Sequence, residues 1–170
     1  MKHIETIEHK IVDRVQLSTL VEKWKLNGEK VVFTNGCFDL LHKGHIDYLN
    51  RSADLGDRLI VALNTDASVS KLKGPNRPIQ DESSRLWVMA SLGCVSAVTL
   101  FAEDTPLALL NLIKPDVLVK GGDYTIATIV GADDVIQAGG EVKVIPFLEG
   151  FSTSRIEDKI LRSEGDSPRK

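Results

Sequence analysis

Two histidines three positions apart, His42 and His45, stand in the stretch Thr34-Asn35-Gly36-Cys37-Phe38-Asp39-Leu40-Leu41-His42-Lys43-Gly44-His45. An apolar β-branched run, Val31-Val32-Phe33, precedes that stretch. Apolar residues at helical spacing follow it through Ala53, so the segment reads as strand, tight loop and helix start. A junction of this kind leaves backbone N–H groups unpaired at the positive end of a helix, which is a seat for phosphate. On a helix's first turn the two imidazoles share a face and can reach one anionic group. Gly36 and Gly44 have no Cβ and would let a ligand come close. Imidazoles beside a phosphate point to phosphoryl or nucleotidyl transfer.

The flanking elements must place that loop. Apolar runs of strand type occur at Val31 to Thr34, Arg58 to Asn64, Ser96 to Phe101, Asp116 to Lys120 and Glu141 to Phe147. They are nearly continuous, the pattern of strands covered on both faces. Helical patterns alternate with them: Glu82 to Leu92, Thr105 to Lys114 with Thr105 as N-cap and Pro106 in the first helical position, and Ile129 to Ala138 ended by Gly139-Gly140. The alternation predicts an α/β fold, a Rossmann-like doubly wound sheet of five parallel strands with right-handed crossovers. Ligands bind such sheets beyond the carboxyl ends of the strands, where the strand order reverses. Residues 1–29 read as a helical lead-in that covers one edge of the sheet, with Leu17, Leu20, Val21 and Trp24 on one face and Asn27-Gly28 as its stop. Residues 30–162 form the main domain, and 163–170 read as a frayed tail.

Four further stretches sit where they could share a site. Asn64-Thr65-Asp66 ends the second strand and is read as the cap of a following helix. Lys71 to Pro78 combines three cations with Gly74 and two prolines and is expected to be a loop. Lys120-Gly121-Gly122-Asp123-Tyr124 follows the fourth strand; a lysine closing a buried strand before two glycines is hard to explain by packing alone. Glu149 to Ile156 follows the fifth strand and opens a helix through Leu161, with Ser152 or Thr153 as an ordinary N-cap.

These strings resemble the cytidylyltransferase-like nucleotidyltransferases: the first matches their His-x-Gly-His signature, and Ser152-Thr153-Ser154 matches a Ser-Thr-Thr or Ser-Ser-Thr signature, with Ser154 where many members have Thr. The resemblance covers residues 30–162, and Lys120 to Tyr124 favours the branch that makes ADP-heptose from heptose 1-phosphate and ATP. It implies that His42 and His45 stabilise the α-phosphate and bridging oxygen, and Lys73 the departing pyrophosphate. Asn35, Gly36, Cys37, Phe38 and Gly44 would line the phosphate loop, and Ser152, Thr153 and Ser154 would hold the β- and γ-phosphates. Lys120 and Asp123 would face the sugar phosphate, and Arg77 and Arg85 match positions of phosphate or structural contact. Asp39 is expected to brace the loop. Transfer is direct, which leaves Cys37 no nucleophilic role. Mg²⁺ would arrive with ATP, since it often binds through phosphates. Many members carry a fused sugar kinase, whereas this domain is expected to stand alone, and a homodimer is implied. The alternatives are a glycerol 3-phosphate cytidylyltransferase or other polyol-phosphate relative, and a nucleotide-binding sensor without catalysis.

Composition narrows the classes. The 170 residues suit one domain, and the apolar fraction of 42% and charged fraction of 26% are those of a globular protein. A net charge of -3 gives no general attraction to nucleic acid or membrane. No apolar run approaches the roughly 20 residues of a membrane span, and the start lacks a signal-peptide core, so a cytoplasmic protein is expected. Cys37 and Cys94 are too few for a disulfide framework or zinc site. The first turn lacks Gly-x-Gly-x-x-Gly, which disfavours a nicotinamide reductase. The chain is also short for a tRNA synthetase.

Overall fold

The computed structural model describes residues 2–122 and 124–164. Five strands, β1 (Val31–Gly36), β2 (Arg58–Asn64), β3 (Ala97–Phe101), β4 (Val117–Gly121) and β5 (Glu141–Ile145), form one sheet in the order β3-β2-β1-β4-β5. All neighbours are parallel, with Thr34 opposite Val61 and Phe33 opposite Leu118. The order reverses between β1 and β4, so the switch point lies where the His-containing loop leaves the sheet.

Each strand sends alternate side chains to opposite faces. Val31 and Phe33 point to one core with Leu17, Val21 and Trp24 of α2 (Arg14–Leu26), Leu109 and Ile113 of α6 (Leu107–Ile113), and Val135 of α7 (Ala132–Gln137). Val32 points to the other, with Tyr48 and Leu49 of α3 (Lys43–Ala53) and Met89 of α5 (Glu82–Ala90). Two apolar layers thus enclose the sheet, which is why its strands lack polar alternation. The remaining helices are α1 (His3–Glu8), α4 (Asp66–Lys73) and α8 (Thr153–Glu164).

The sequence reading needs adjustment at several ends. The lead-in is two helices, and α2 lies on a face of the sheet rather than at its edge. The edge is met by the link between them, where Ile11 forms a parallel bridge to Val98 of β3. The α2 helix stops as expected, at Asn27 and a Gly28 with φ of 76°. Thr105 does not cap α6: the helix starts at Leu107 after Pro106, without a side-chain cap. The α7 helix starts at Ala132, preceded by a 3₁₀ turn at Ile126–Thr128, because Gly131 takes φ of 81° between them. Lys71 and Lys73 belong to the last turn of α4, so the basic loop begins only at Gly74. The α8 helix runs to Glu164, two residues into the expected tail, whose residues 165–170 lie outside the described ones.

Leu17 is completely buried although it belongs to the lead-in. Leu17→Ala is therefore expected to cost about 2–5 kcal/mol, the range for a truncated core leucine, read as a lowered urea midpoint at unchanged slope. A loss below about 1 kcal/mol would show that the lead-in rests on the domain without holding it.

Candidate active site

A cleft of about 330 Å³ opens at the switch point. Asn35, Gly36, Cys37 and Phe38 line it from the end of β1, His45 from α3, Lys73 from α4, Lys120 from β4 and Thr153 from the start of α8. Eight residues singled out in the sequence thus meet in one place, drawn from five elements. Two are the N-terminal regions of helices, α3 and α8, whose free N–H groups and dipoles favour an anion. His42 and Ser152 line a second groove, together with Leu41, Lys43 and Phe151. Ser154 lies exposed in the first turn of α8. Asp123 lies outside the described residues.

His42 sits at the N-cap of α3 rather than in its first turn, and its Nδ1 accepts the His45 N–H at 3.4 Å. The two rings are stacked, with centroids 3.8 Å apart and planes 19° apart. Phe38 meets His45 edge-on at 5.2 Å, so the His45 ring is held from two sides. Nδ1 of His45 is buried and makes no hydrogen bond among the described residues. Burial first, then the stacked His42, pushes the His45 pKa down to about 4, against an opposing pull from the Leu40 carbonyl. Burial also lowers His42. Both imidazoles are therefore neutral near pH 7.

The space expected for a ligand over Gly36 and Gly44 is filled by the protein. A Cβ on Gly36 would fall 2.9 Å from Cε2 of Phe38, and one on Gly44 would fall 3.1 Å from the His42 ring and 3.2 Å from Cβ of Phe151. These glycines are needed so that Phe38 and His42 can fold back over the loop. The Gly44 contact also brings the start of α3 against Phe151, two residues before Thr153.

Of the two lysines in α4, Lys71 turns outward to Asp104 at 2.5 Å, leaving Lys73 for the cleft. Lys120 donates to Asn35 Oδ1, and burial lowers its pKa to about 8. Cys37 has its thiol pushed up by burial and its Sγ 3.7 Å from Asn64 Oδ1, a small packing group and not a nucleophile.

Asp39 braces the loop as expected. Its carboxylate accepts from Arg77 Nη1 at 2.6 Å and from the N–H groups of Ile79 and Gln80 at 2.9 Å each. Of the two roles open to Arg85, the geometry gives it the structural one. Its side chain is fully buried, and it donates to the carbonyls of Gln80 and Cys37 and to Asp66 Oδ1 at 2.7 Å. Arg77 is similarly engaged, since it pairs with both Asp39 and Glu157 at 2.6 Å. Asp66 thus does more than follow a cap, although Thr65 does cap α4 by accepting from Ser68 N.

Tyr124, the last residue of the Lys120 to Tyr124 string, also lines the cleft, as do Tyr48 and Phe147, which were not singled out in the sequence. Tyr48 lies three positions after His45 on α3, so the helical face that carries the histidine predicts it. Its buried hydroxyl is 2.6 Å from Thr34 Oγ1 and donates to the Val119 carbonyl, tying α3 to β1 and β4. Phe147 has no such signal, since it lies beyond the strand that carries it.

Known proteins are similar to this chain in sequence and fold. The Cytidylyltransferase-like family model matches residues 33–159. The Bifunctional protein HldE of Marinomonas sp. is 58% identical over 143 residues, covering 82% of this chain and 30% of that protein. Its namesake in Caulobacter vibrioides is 56% identical over 149 residues, covering 88% and 31%. The chain thus spans about a third of the length of these curated relatives. Among solved structures, the lipopolysaccharide core biosynthesis protein from Thermoplasma volcanium is 33% identical with a TM-score of 0.57, covering 71% of this chain and 98% of that one. Pantoate-beta-alanine ligase from Francisella tularensis, 17% identical with a TM-score of 0.59 over 92% of this chain and 79% of that one, shares the fold. With a match running from β1 into α8 over most of its length, this chain belongs to the cytidylyltransferase-like family.

Proposed function

We propose that this protein is an adenylyltransferase that transfers AMP from ATP to D-glycero-β-D-manno-heptose 1-phosphate. The products are ADP-heptose, destined for lipopolysaccharide core or a related glycan, and pyrophosphate. The observation that carries the reading is one cleft in which an imidazole, two lysines and two helix N-terminal regions converge. Among the described residues that line it, the only carboxylate is Asp39, which is bonded elsewhere. Such a cleft fits a polyanion. The name of the Thermoplasma protein, a lipopolysaccharide core biosynthesis protein, supports a product destined for that core.

An anionic phosphate oxygen is already a competent nucleophile. It forms a bond to the α-phosphorus as the bond to the bridging oxygen breaks, and the electron pair leaves with pyrophosphate. The protein must align two polyanions and neutralise charge on the crowded phosphorus, so positioning and electrostatics supply the catalysis. His45, with His42 stacked behind it, faces the α-phosphate and bridging oxygen. Lys73 follows the leaving pyrophosphate, and Ser152, Thr153 and Ser154 hold the β- and γ-phosphates. Lys120 meets the sugar phosphate. Mg²⁺ enters on the nucleotide. No group of three or more His, Cys, Asp or Glu able to hold a metal occurs among the described residues, and the cleft offers donors and cations instead. Among the described residues no helix is long and apolar enough to cross a membrane, and we place the reaction in the cytoplasm. A homodimer belongs to the same proposal and is read by light scattering.

The direct test is a panel of nucleoside triphosphates against sugar and polyol phosphates, followed by pyrophosphate release. ATP with heptose 1-phosphate is expected to be the best pair; product from CTP and glycerol 3-phosphate alone would overturn the assignment.

Turnover is expected to fall about a hundredfold or more in His45→Ala with the fold intact, the scale of losing one preorganised stabiliser. Because burial keeps His45 neutral near pH 7 and a triphosphate favours its charged form, wild-type ATP binding at pH 7 should take up protons. Calorimetry in buffers of different ionisation enthalpy measures that uptake, and His45→Ala should lack most of it. Equal uptake by both proteins would remove His45 from contact with the nucleotide.

Lys120 is the charge that folding disfavours most clearly. Its folded pKa of about 8 lies below its unfolded value near 10.5, so the unfolded chain binds the proton more tightly and wild-type stability rises with pH across that interval. Lys120→Met should therefore unfold later than wild type at pH 7, by about 1 to 3 kcal/mol, while losing activity. The gap should narrow by pH 9.5, where folded wild type has shed the proton. Thermal melts at the two pH values decide it; a gap that widens would refute the assignment.

A further inference from the structure

Phosphate chemistry leaves one wall of the cleft unused. Phe147 follows β5 and lines the cleft, yet its side chain is 62% exposed. What backs the ring is backbone. A Cβ on Gly121 would fall 2.6 Å from its Cε1, and one on Gly122 would fall 2.7 Å from its Cε2. The ring therefore spans both glycines, and any side chain at either position would displace it. Gly122 also takes φ of 109°, a conformation that L side chains rarely adopt. Tyr48 bounds the same wall, with Cε2 3.0 Å from that Gly121 position, and its hydroxyl bonds hold it in place. Two consecutive glycines thus seat an aromatic ring at the end of β4 and leave much of it open to solvent.

We propose that Phe147 is the platform on which the purine base of the nucleotide stacks. This rests on the reading that the cleft binds a nucleoside triphosphate. With the tail held by His45, Lys73 and Thr153, the base must lie elsewhere in the same small cleft. Among the described residues, Phe147, Tyr48, Gly121 and Gly122 give this wall a π face and no charged side chain. A heptose there would bury hydroxyls against an aromatic ring with little to bond them, whereas a base presents a face that needs only stacking. A purine covers more of a phenyl ring than a pyrimidine does, so Phe147 also sets base preference.

Titration calorimetry of the full chain with Mg²⁺ and ATP, CTP or inorganic tripolyphosphate tests this without turnover. Phe147→Ala is expected to weaken ATP roughly tenfold or more, within the range for base–aromatic stacking. It should leave tripolyphosphate within twofold of wild type and lower the preference for ATP over CTP, while Phe147→Trp keeps ATP affinity. Equal losses for ATP and tripolyphosphate would overturn the platform. So would unchanged ATP affinity with a raised KM for the sugar phosphate, which would put the sugar on the ring. Wild type that binds ATP through Phe147 but releases no pyrophosphate with heptose 1-phosphate would sink the proposed reaction and leave the platform standing.

Discussion

The carboxylate of Asp39 has a side chain only 1% exposed, yet it accepts from the guanidinium of Arg77 and from two backbone N–H groups of the loop that follows α4. A buried carboxylate survives only when its lone pairs are satisfied, because its desolvation costs several kcal/mol otherwise. Here the partners come from distant chain segments, so satisfying the charge also fixes their relative positions. Gln80 returns the contact through its side chain to the Asp39 carbonyl, and Arg77 extends it to Glu157 on α8. Arg85 adds a second clamp by joining the Gln80 and Cys37 carbonyls to Asp66. The loop after β1, the end of α4 and the body of α8 are thereby held as one frame around the cleft.

That frame is what lets a chain of net charge -3 present a cationic cleft. Asp39 and Glu157 are committed to Arg77 and Asp66 to Arg85, while His45, Lys73 and Lys120 line the cleft. Burial depresses the pKa of both His45 and Lys120, so each carries charge reluctantly. A bound polyanion would relieve that cost, which turns the destabilisation of the free protein into selectivity for a highly charged ligand. Preorganised charge of this kind needs no reorganisation when the reaction occurs.

Much of the fold was legible because each of its levels leaves its own mark. Strand-type runs separated by helical patterns are the direct consequence of a sheet covered on both faces, and the five strands lie where those runs stand. The two phosphate signatures were legible for the same reason, since both follow strands. What the sequence hid depends on tertiary contact. Lys71 and Lys73 look alike in a basic stretch, and only the helical turn that carries them sends one to Asp104 and the other to the cleft. Arg85 reads as a candidate for phosphate until its burial and its three bonds are seen. Thr105 before Pro106 has the composition of a cap, but the helix begins beyond both.

Gly36 and Gly44 show why a glycine beside a phosphate signature is ambiguous from sequence. The missing Cβ can make room for a ligand or for the protein, and here Phe38 and His42 fill it. Phe38 accepts a φ of 45°, a left-handed conformation costing of order 1–3 kcal/mol for a residue with a side chain, and its ring reaches Gly36 and His45. His42, seated over Gly44, supplies the other face against which His45 stacks. In the proposed reaction the glycines would serve at one remove. They let two rings close on a third, and a ring held from two sides cannot turn away from the charge it must meet.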